Sequence, residues 1–114
     1  MSRPSPAALR RLRTAVPLFA ALGDGTRIEL LLQLAADGPG SITKLSASSE
    51  LTRQAVTKHL TVLEAAGLVR GQRKGREHLW ALEPARIDEA REYLELISAQ
   101  WDDALERLRG FVEP

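Results

Sequence analysis

The run from Leu51 to Gly67 holds the side chains best suited to engaging a ligand. Val56, Leu60 and Leu63, with Ala55 and Ala66 beside them, recur at three- and four-residue steps and make one apolar helix stripe. Arg53, Gln54, Thr57, Lys58 and Thr61 fall on the other side, and no carboxylate stands among them. A solvated helix face usually mixes both charge signs. Arg, Lys, Gln and Thr without acids are instead the side chains that reach phosphates and base edges. The chemistry indicated is recognition of a polyanion. Catalysis has no such support: a nucleophile needs a base oriented by a third group, and Ser41, Ser46, Ser48 and Ser49 sit where helix capping explains them. Gly38-Pro39-Gly40 and Gly71 to Gly75 read as turns, with no phosphate-cradling signature after them. No catalytic residue and no cofactor is expected.

The elements that position these residues follow from their flanks. Thr52 is an N-cap, Gly67 a helix stop, and Thr43 caps a short preceding helix with Leu45 inward, giving a helix-turn-helix over about 43–66. A hairpin over about 68–82 follows, with a Lys74-Gly75 tip and with His78, Trp80 and Leu82 alternating inward. Upstream, Leu9, Leu12, Val16 and Phe19 mark a first helix that Pro17 kinks or restarts. Asp24 caps a second helix, Thr26 to about Ala36, with Ile28, Leu31, Leu32 and Ala35 as core, and Gly38-Pro39-Gly40 ends it. Pro84 opens a last helix over about 84–110. There Ile87, Ala90, Leu94, Ile97, Trp101, Ala104 and Leu108 alternate steps of three and four, a seam of roughly 33 Å.

Leu51 to Leu60 followed by Leu63 to Val69 resembles the recognition helix of the ArsR/SmtB winged-helix repressors. Leu18-Phe19-Ala20-Ala21-Leu22-Gly23-Asp24-Gly25-Thr26-Arg27 is similar to that family's entry motif, with Gly25 where proline is usual. Gly75-Arg76-Glu77-His78-Leu79-Trp80-Ala81-Leu82 resembles its wing strand. Glu50 departs from the pattern, standing where glycine is common, and Ser49 stands where an apolar residue is common. The resemblance implies a single domain over 1–114, mainly α with a small β-hairpin wing, in the order α-α-α-α-β-β-α. It also implies a homodimer paired through its first and last helices. Leu9, Leu12, Val16, Ile87, Leu94, Ile97, Trp101, Leu105 and Leu108 would form that interface. The implied function is a sequence-specific transcriptional regulator, a homodimeric repressor on an inverted repeat in promoter DNA. Arg53, Gln54, Thr57, Lys58 and Thr61 would read bases, while Thr52, His59, Arg70, Arg73, Lys74 and Arg76 would position the protein on phosphates. For His59 a second reading stands beside this one, packing against the third helix, the short one capped by Thr43. The ending Trp101-Asp102-Asp103-Ala104-Leu105-Glu106-Arg107-Leu108 resembles a branch that commonly lacks metal boxes. Ser41 and Thr43 occupy positions where some relatives carry cysteine ligands, and no histidine lies beyond His78. A metal effector is therefore disfavoured and the effector is unidentified.

Composition bounds the rest. At 114 residues there is room for one modest core, filled by Leu, Val, Ile and Ala because aromatics are only 4%. That core cannot cover both the first helix and the long last one, so the surplus apolar face argues for a partner subunit. The net charge of +1 hides an asymmetry. Residues 53–76 set Arg53, Lys58, Arg70, Arg73, Lys74 and Arg76 against Glu64 alone, whereas residues 77–114 carry ten acids against four arginines. Cysteine is absent, which removes disulfides and thiolate metal sites. No apolar run reaches membrane-spanning length and the N-terminus lacks a signal-like apolar region. A cytoplasmic protein, nucleoid-associated when bound to DNA, is expected. Two alternatives remain: a winged-helix protein-interaction module without DNA binding, and a small-molecule sensor of MarR-like type.

Overall fold

The computed structural model describes residues 3–112. The elements run α1 (Pro6–Thr14), α2 (Val16–Leu22), α3 (Gly25–Asp37), β1 (Gly40–Ser41), α4 (Ile42–Ala47), α5 (Arg53–Ala65), β2 (Val69–Lys74), β3 (Glu77–Leu82) and α6 (Pro84–Val112). The architecture is a winged helix-turn-helix, mainly α with a small sheet. The expected first helix is two, because Pro17 cannot supply the N–H that would continue α1 and is accommodated instead in the first turn of α2. Ser5 opens α1 by accepting the Ala8 N–H, and Asp24 opens α3 by accepting the Arg27 N–H.

Three sequence expectations shift. In α3 the buried residues are Leu30, Leu31 and Leu34, while Ile28, Leu32 and Ala35 are exposed. With leucine at 30, 31, 32 and 34, hydrophobicity alone cannot set the phase of that helix, and packing against α5 and the sheet does. Ser41 rather than Thr43 caps α4, its hydroxyl accepting the Lys44 N–H at 3.2 Å. Gly40 and Ser41 also form a strand, pairing antiparallel with Trp80 and Leu79, so the sheet has three strands in the order β1-β3-β2. A two-residue strand is too short to show any alternation.

The turn between α4 and α5 adapts to Glu50 without strain. Among the described residues only Gly38, Gly67 and Gly75 have positive φ, and the Ser49 hydroxyl accepts the Leu51 N–H to close the turn. Thr52 caps α5 by accepting the Ala55 N–H. Gly67, at φ 79°, ends that helix and lets the Leu68 N–H reach the Leu63 carbonyl at 3.0 Å.

The core gathers Leu18, Leu45, Val56, Leu60, Leu63, Leu68 and Val69, all fully buried. Trp80 and Ala90 join the same cluster, with Ile87 partly buried against it. Ile87, expected in the dimer seam, thus packs within its own subunit, because α6 crosses the body over its first turns before leaving it. Tyr93 is also buried, edge-on to Phe19 at 6.3 Å. His78 is exposed rather than inward, since it lies toward the tip of β3 where the body no longer covers the sheet. Beyond Tyr93, α6 projects outward. The radius of gyration is 18.1 Å, where a compact chain of this length would have about 13 Å.

Gly67→Ala puts a Cβ at positive φ beside the Arg86 side chain and should cost about 1–2 kcal/mol. Thermal unfolding should therefore drop by several degrees. Glu50→Gly is the control: it should not stabilise, and a rise in melting temperature would show that the turn wants a left-handed residue there.

Candidate nucleic-acid interface

Burying Val56, Leu60 and Leu63 turns Arg53, Gln54, Thr57, Lys58 and Thr61 outward, and all five are exposed. Gln54, Thr57, Lys58 and Thr61, with Val62, line one shallow groove of about 570 Å³. The Thr57 hydroxyl donates to the Arg53 carbonyl at 2.8 Å and that of Thr61 to the Thr57 carbonyl at 2.9 Å. Their protons are engaged one turn back, which leaves oxygen lone pairs and methyl groups for a ligand. Val62 adds a third apolar surface that sequence reasoning passed over. It stands four residues after Lys58, at the border of the two faces, so its spacing could have placed it there.

Arg53 opens on a different hollow, of about 490 Å³, on the wing side of the helix, lined by Ser41, Thr43, Arg76, Glu77 and His78 among others. Glu64, the one acid in the basic segment, accepts the Gly71 N–H at 3.2 Å. It therefore ties the wing to α5. Arg73, Lys74 and Arg76 are exposed around the Gly75 turn, whereas Arg70 lies 3.7 Å from Glu83 and is partly neutralised by it. Thr52 spends its oxygen on the helix cap and keeps its hydroxyl proton to donate.

His59 is half-buried, with Nδ1 3.5 Å from Nη1 of Arg27. Arg27 donates from Nε to the Ala21 carbonyl at 2.6 Å and from Nη2 to that of Ala20 at 3.4 Å, with Asp24 4.0 Å away. One guanidinium thus caps the end of α2 and clasps the middle of α5 through His59. The contact the structure gives this histidine is therefore with Arg27 of α3 rather than with α4. Arg86 does the matching work from α6, donating to the Ala66 carbonyl at 3.0 Å while paired with Glu89. Arg27 closes the entry motif quoted from the sequence but carried no role there, and Arg86 is one arginine of many. Only their positions, three residues after a cap and just inside a new helix, hint at a role.

On α6 the exposed apolar residues are Leu94, Trp101, Leu105, Leu108 and Phe111, with Ile97 half-buried. Leu9 and Val16 are exposed on α1 and α2, and Leu12 is half-buried. Trp101 is 66% and Phe111 90% exposed, an apolar stripe with no intramolecular cover. Phe111 extends the stripe beyond the seam read from sequence. No helix among the described residues is long and apolar enough to cross a membrane.

Comparison with known proteins matches this geometry. Residues 22–72 match the helix-turn-helix domain family. The structure of an ArsR-like transcriptional regulator from Rhodococcus sp. RHA1 is similar, with a TM-score of 0.72 and 34% identity over 90% of this chain and 95% of that one. The arsenic resistance transcriptional regulator ArsR1 of Pseudomonas putida is 29% identical, over 92% of this chain and 71% of its own length. The HTH-type transcriptional repressor SmtB of Mycobacterium tuberculosis is 35% identical, over 69% of this chain and 58% of its own.

The clasp around Arg27 carries a pH signature. The Arg27 N–H holds the Asp24 carboxyl below the ordinary carboxylate value; burial opposes this, and the Arg27 guanidinium and His59 add to it. A carboxyl lowered on folding stabilises above its unfolded value, and that contribution fades as pH falls through the folded one. Asp24→Asn, which keeps the cap but not the charge, should therefore be less stable than wild type at neutral pH. The two should converge below about pH 4. Urea midpoints measured across that range test it, and a constant gap at every pH would remove the charge from the account.

Proposed function

The chain belongs to the ArsR/SmtB family of helix-turn-helix transcriptional regulators, and from that premise we propose a homodimeric repressor that binds an inverted repeat in promoter DNA. What carries the reading is the exposed outward set of residues 53–61 on α5, which holds no acid and is flanked by the cations of the wing. Glu64, further along the same side, is engaged by the Gly71 N–H. Gln54 and Lys58 read base edges, while Thr57, Thr61 and Val62 offer methyl groups that suit thymine. Arg53 stands at the edge of this set, facing the wing. Arg73, Lys74 and Arg76 rest on flanking phosphates, Thr52 donates to the backbone near the start of α5, and Arg70 contributes less because Glu83 shares its charge. His59 acts from behind, through Arg27.

The apolar stripe of α6 supports the dimer. Its exposed residues recur over four turns, and a second copy is the partner that matches their length. Two α5 helices would then enter successive major grooves about 34–36 Å apart. The protein would act in the cytoplasm on the nucleoid. The chain lacks cysteine, and Ser41 is committed to the α4 cap, so a thiolate-bound metal is not part of the proposal.

Gln54→Ala and Lys58→Ala should each cost roughly 1–3 kcal/mol on the cognate site and far less on random DNA. Arg73→Ala and Lys74→Ala should instead weaken binding to every sequence and flatten the salt dependence. Anisotropy titrations at two salt concentrations, with a duplex from upstream of the protein's own gene and a scrambled duplex, separate these outcomes. Equal losses on both duplexes for the α5 variants would defeat the base-reading assignment.

Leu94→Glu combined with Trp101→Ala should yield a monomer that has lost most operator affinity with every α5 side chain intact. Light scattering with wild-type protein monomeric at tens of micromolar, or with the double variant still dimeric, would sink the α6 seam.

A further inference from the structure

His78 has no hydrogen-bond partner for its ring among the described residues, yet its position is tightly specified. Its ring stacks on Trp80, centroids 4.9 Å apart and planes 15° from parallel. Gly71 pairs with Trp80 across the sheet, and a Cβ built on Gly71 would collide with His78 Nε2. The missing side chain on β2 thus makes the seat in which the imidazole lies flat on the indole. The seat opens on the hollow shared with Arg53 from α5 and Arg76 from the wing turn.

The charges around this imidazole come from every neighbouring element. Arg53 of α5 and Arg76 of the turn line the same hollow as His78, and Arg73 is its cross-strand partner on β2. Glu77 is the single acid lining the hollow, and it pairs in register with Lys74. The stretch before α5 contributes the hydroxyls of Ser41 and Thr43 and no charge to the lining. An open hollow lined by two arginines, a histidine and two hydroxyl residues suits a tetrahedral, singly charged phosphodiester.

We propose that this hollow is a DNA-phosphate site in which His78 acts with Arg53 and Arg76, so that DNA binding by this protein takes up a proton. The inference rests on the DNA-binding reading above and adds to it a residue and a pH dependence. A phosphate entering the hollow favours the imidazolium over the neutral ring, and by linkage acid then strengthens binding. Histidine is the side chain whose charge changes near neutral pH. The other histidine, His59, lies against Arg27 and Asp24 outside this hollow.

A backbone contact is independent of sequence, so a random-sequence duplex at constant ionic strength suffices as probe. Wild-type protein should bind it about two- to fivefold more tightly near pH 6 than near pH 8. His78→Gln should flatten that profile at the weaker level, and His78→Arg should flatten it at the tighter level. Gly71→Ala, which removes no titratable group, should also flatten it by unseating the ring. His59→Gln should retain it. A pH profile unchanged in His78→Gln, or abolished in His59→Gln, overturns the proposal while leaving DNA binding itself intact. Inorganic phosphate that saturates the His78 ring resonances without competing with the duplex would assign the hollow to a free anion and overturn it too. Absence of any duplex binding by the wild type would instead bring down the DNA reading beneath it.

Discussion

Val56, Leu60 and Leu63 enter a core of leucines contributed by α2, α3, α4 and the start of β2, and the aim of α5 depends on that burial. Truncating any of the three would cost about 1–5 kcal/mol, a sizeable share of the roughly 5–15 kcal/mol that stabilises a domain. The outward side chains contribute little to folding and are aimed only because the inward ones cannot turn. Function here is the unburied half of a packing problem.

A helix held only by its stripe could still slide or roll, and the structure pins α5 at four further points. Thr52 fixes its start, Arg27 grips it through His59, Glu64 ties it to the wing, and Arg86 holds its end. The Thr52 cap is local, and the other three ties cross to α3, the wing and α6. Arg86 belongs to α6, so the helix that carries the exposed apolar stripe also touches the carboxyl end of α5. A shift of α6 against a second subunit would reach α5 through that single guanidinium and the Gly67 turn it lies against.

The parts legible in the sequence were those that rest on local chemistry. Thr52 and Asp24 as caps, Gly67 as a stop, the Gly75 turn and the restart at Pro17 all follow from one residue's backbone needs. The inner and outer faces of α5 were legible because polar and apolar types separate there at helical spacing, with Val62 at the border the one exception. What failed was decided by tertiary contact. Four leucines in α3 could not say which of them faces inward, and the pairing of Gly40 and Ser41 with β3 depends on a strand some forty residues away. Ile87 fits a heptad seam as well as it fits a core, and only the crossing of α6 over the body separates the two. The seat of His78 lies in a glycine on the neighbouring strand, which no single-strand pattern reveals.

The uncovered stripe on α6 also bears on how such a protein responds to its own amount. If the proposed dimer is the reading unit, it forms by second-order encounter, so at low abundance the number of assembled units would rise with the square of the subunit number. Occupancy of a promoter then turns on more sharply than it would for a one-chain reader. Trp101 and Leu108, remote from any base, would set the position of that threshold, and the cell could move it simply by making or degrading the chain faster.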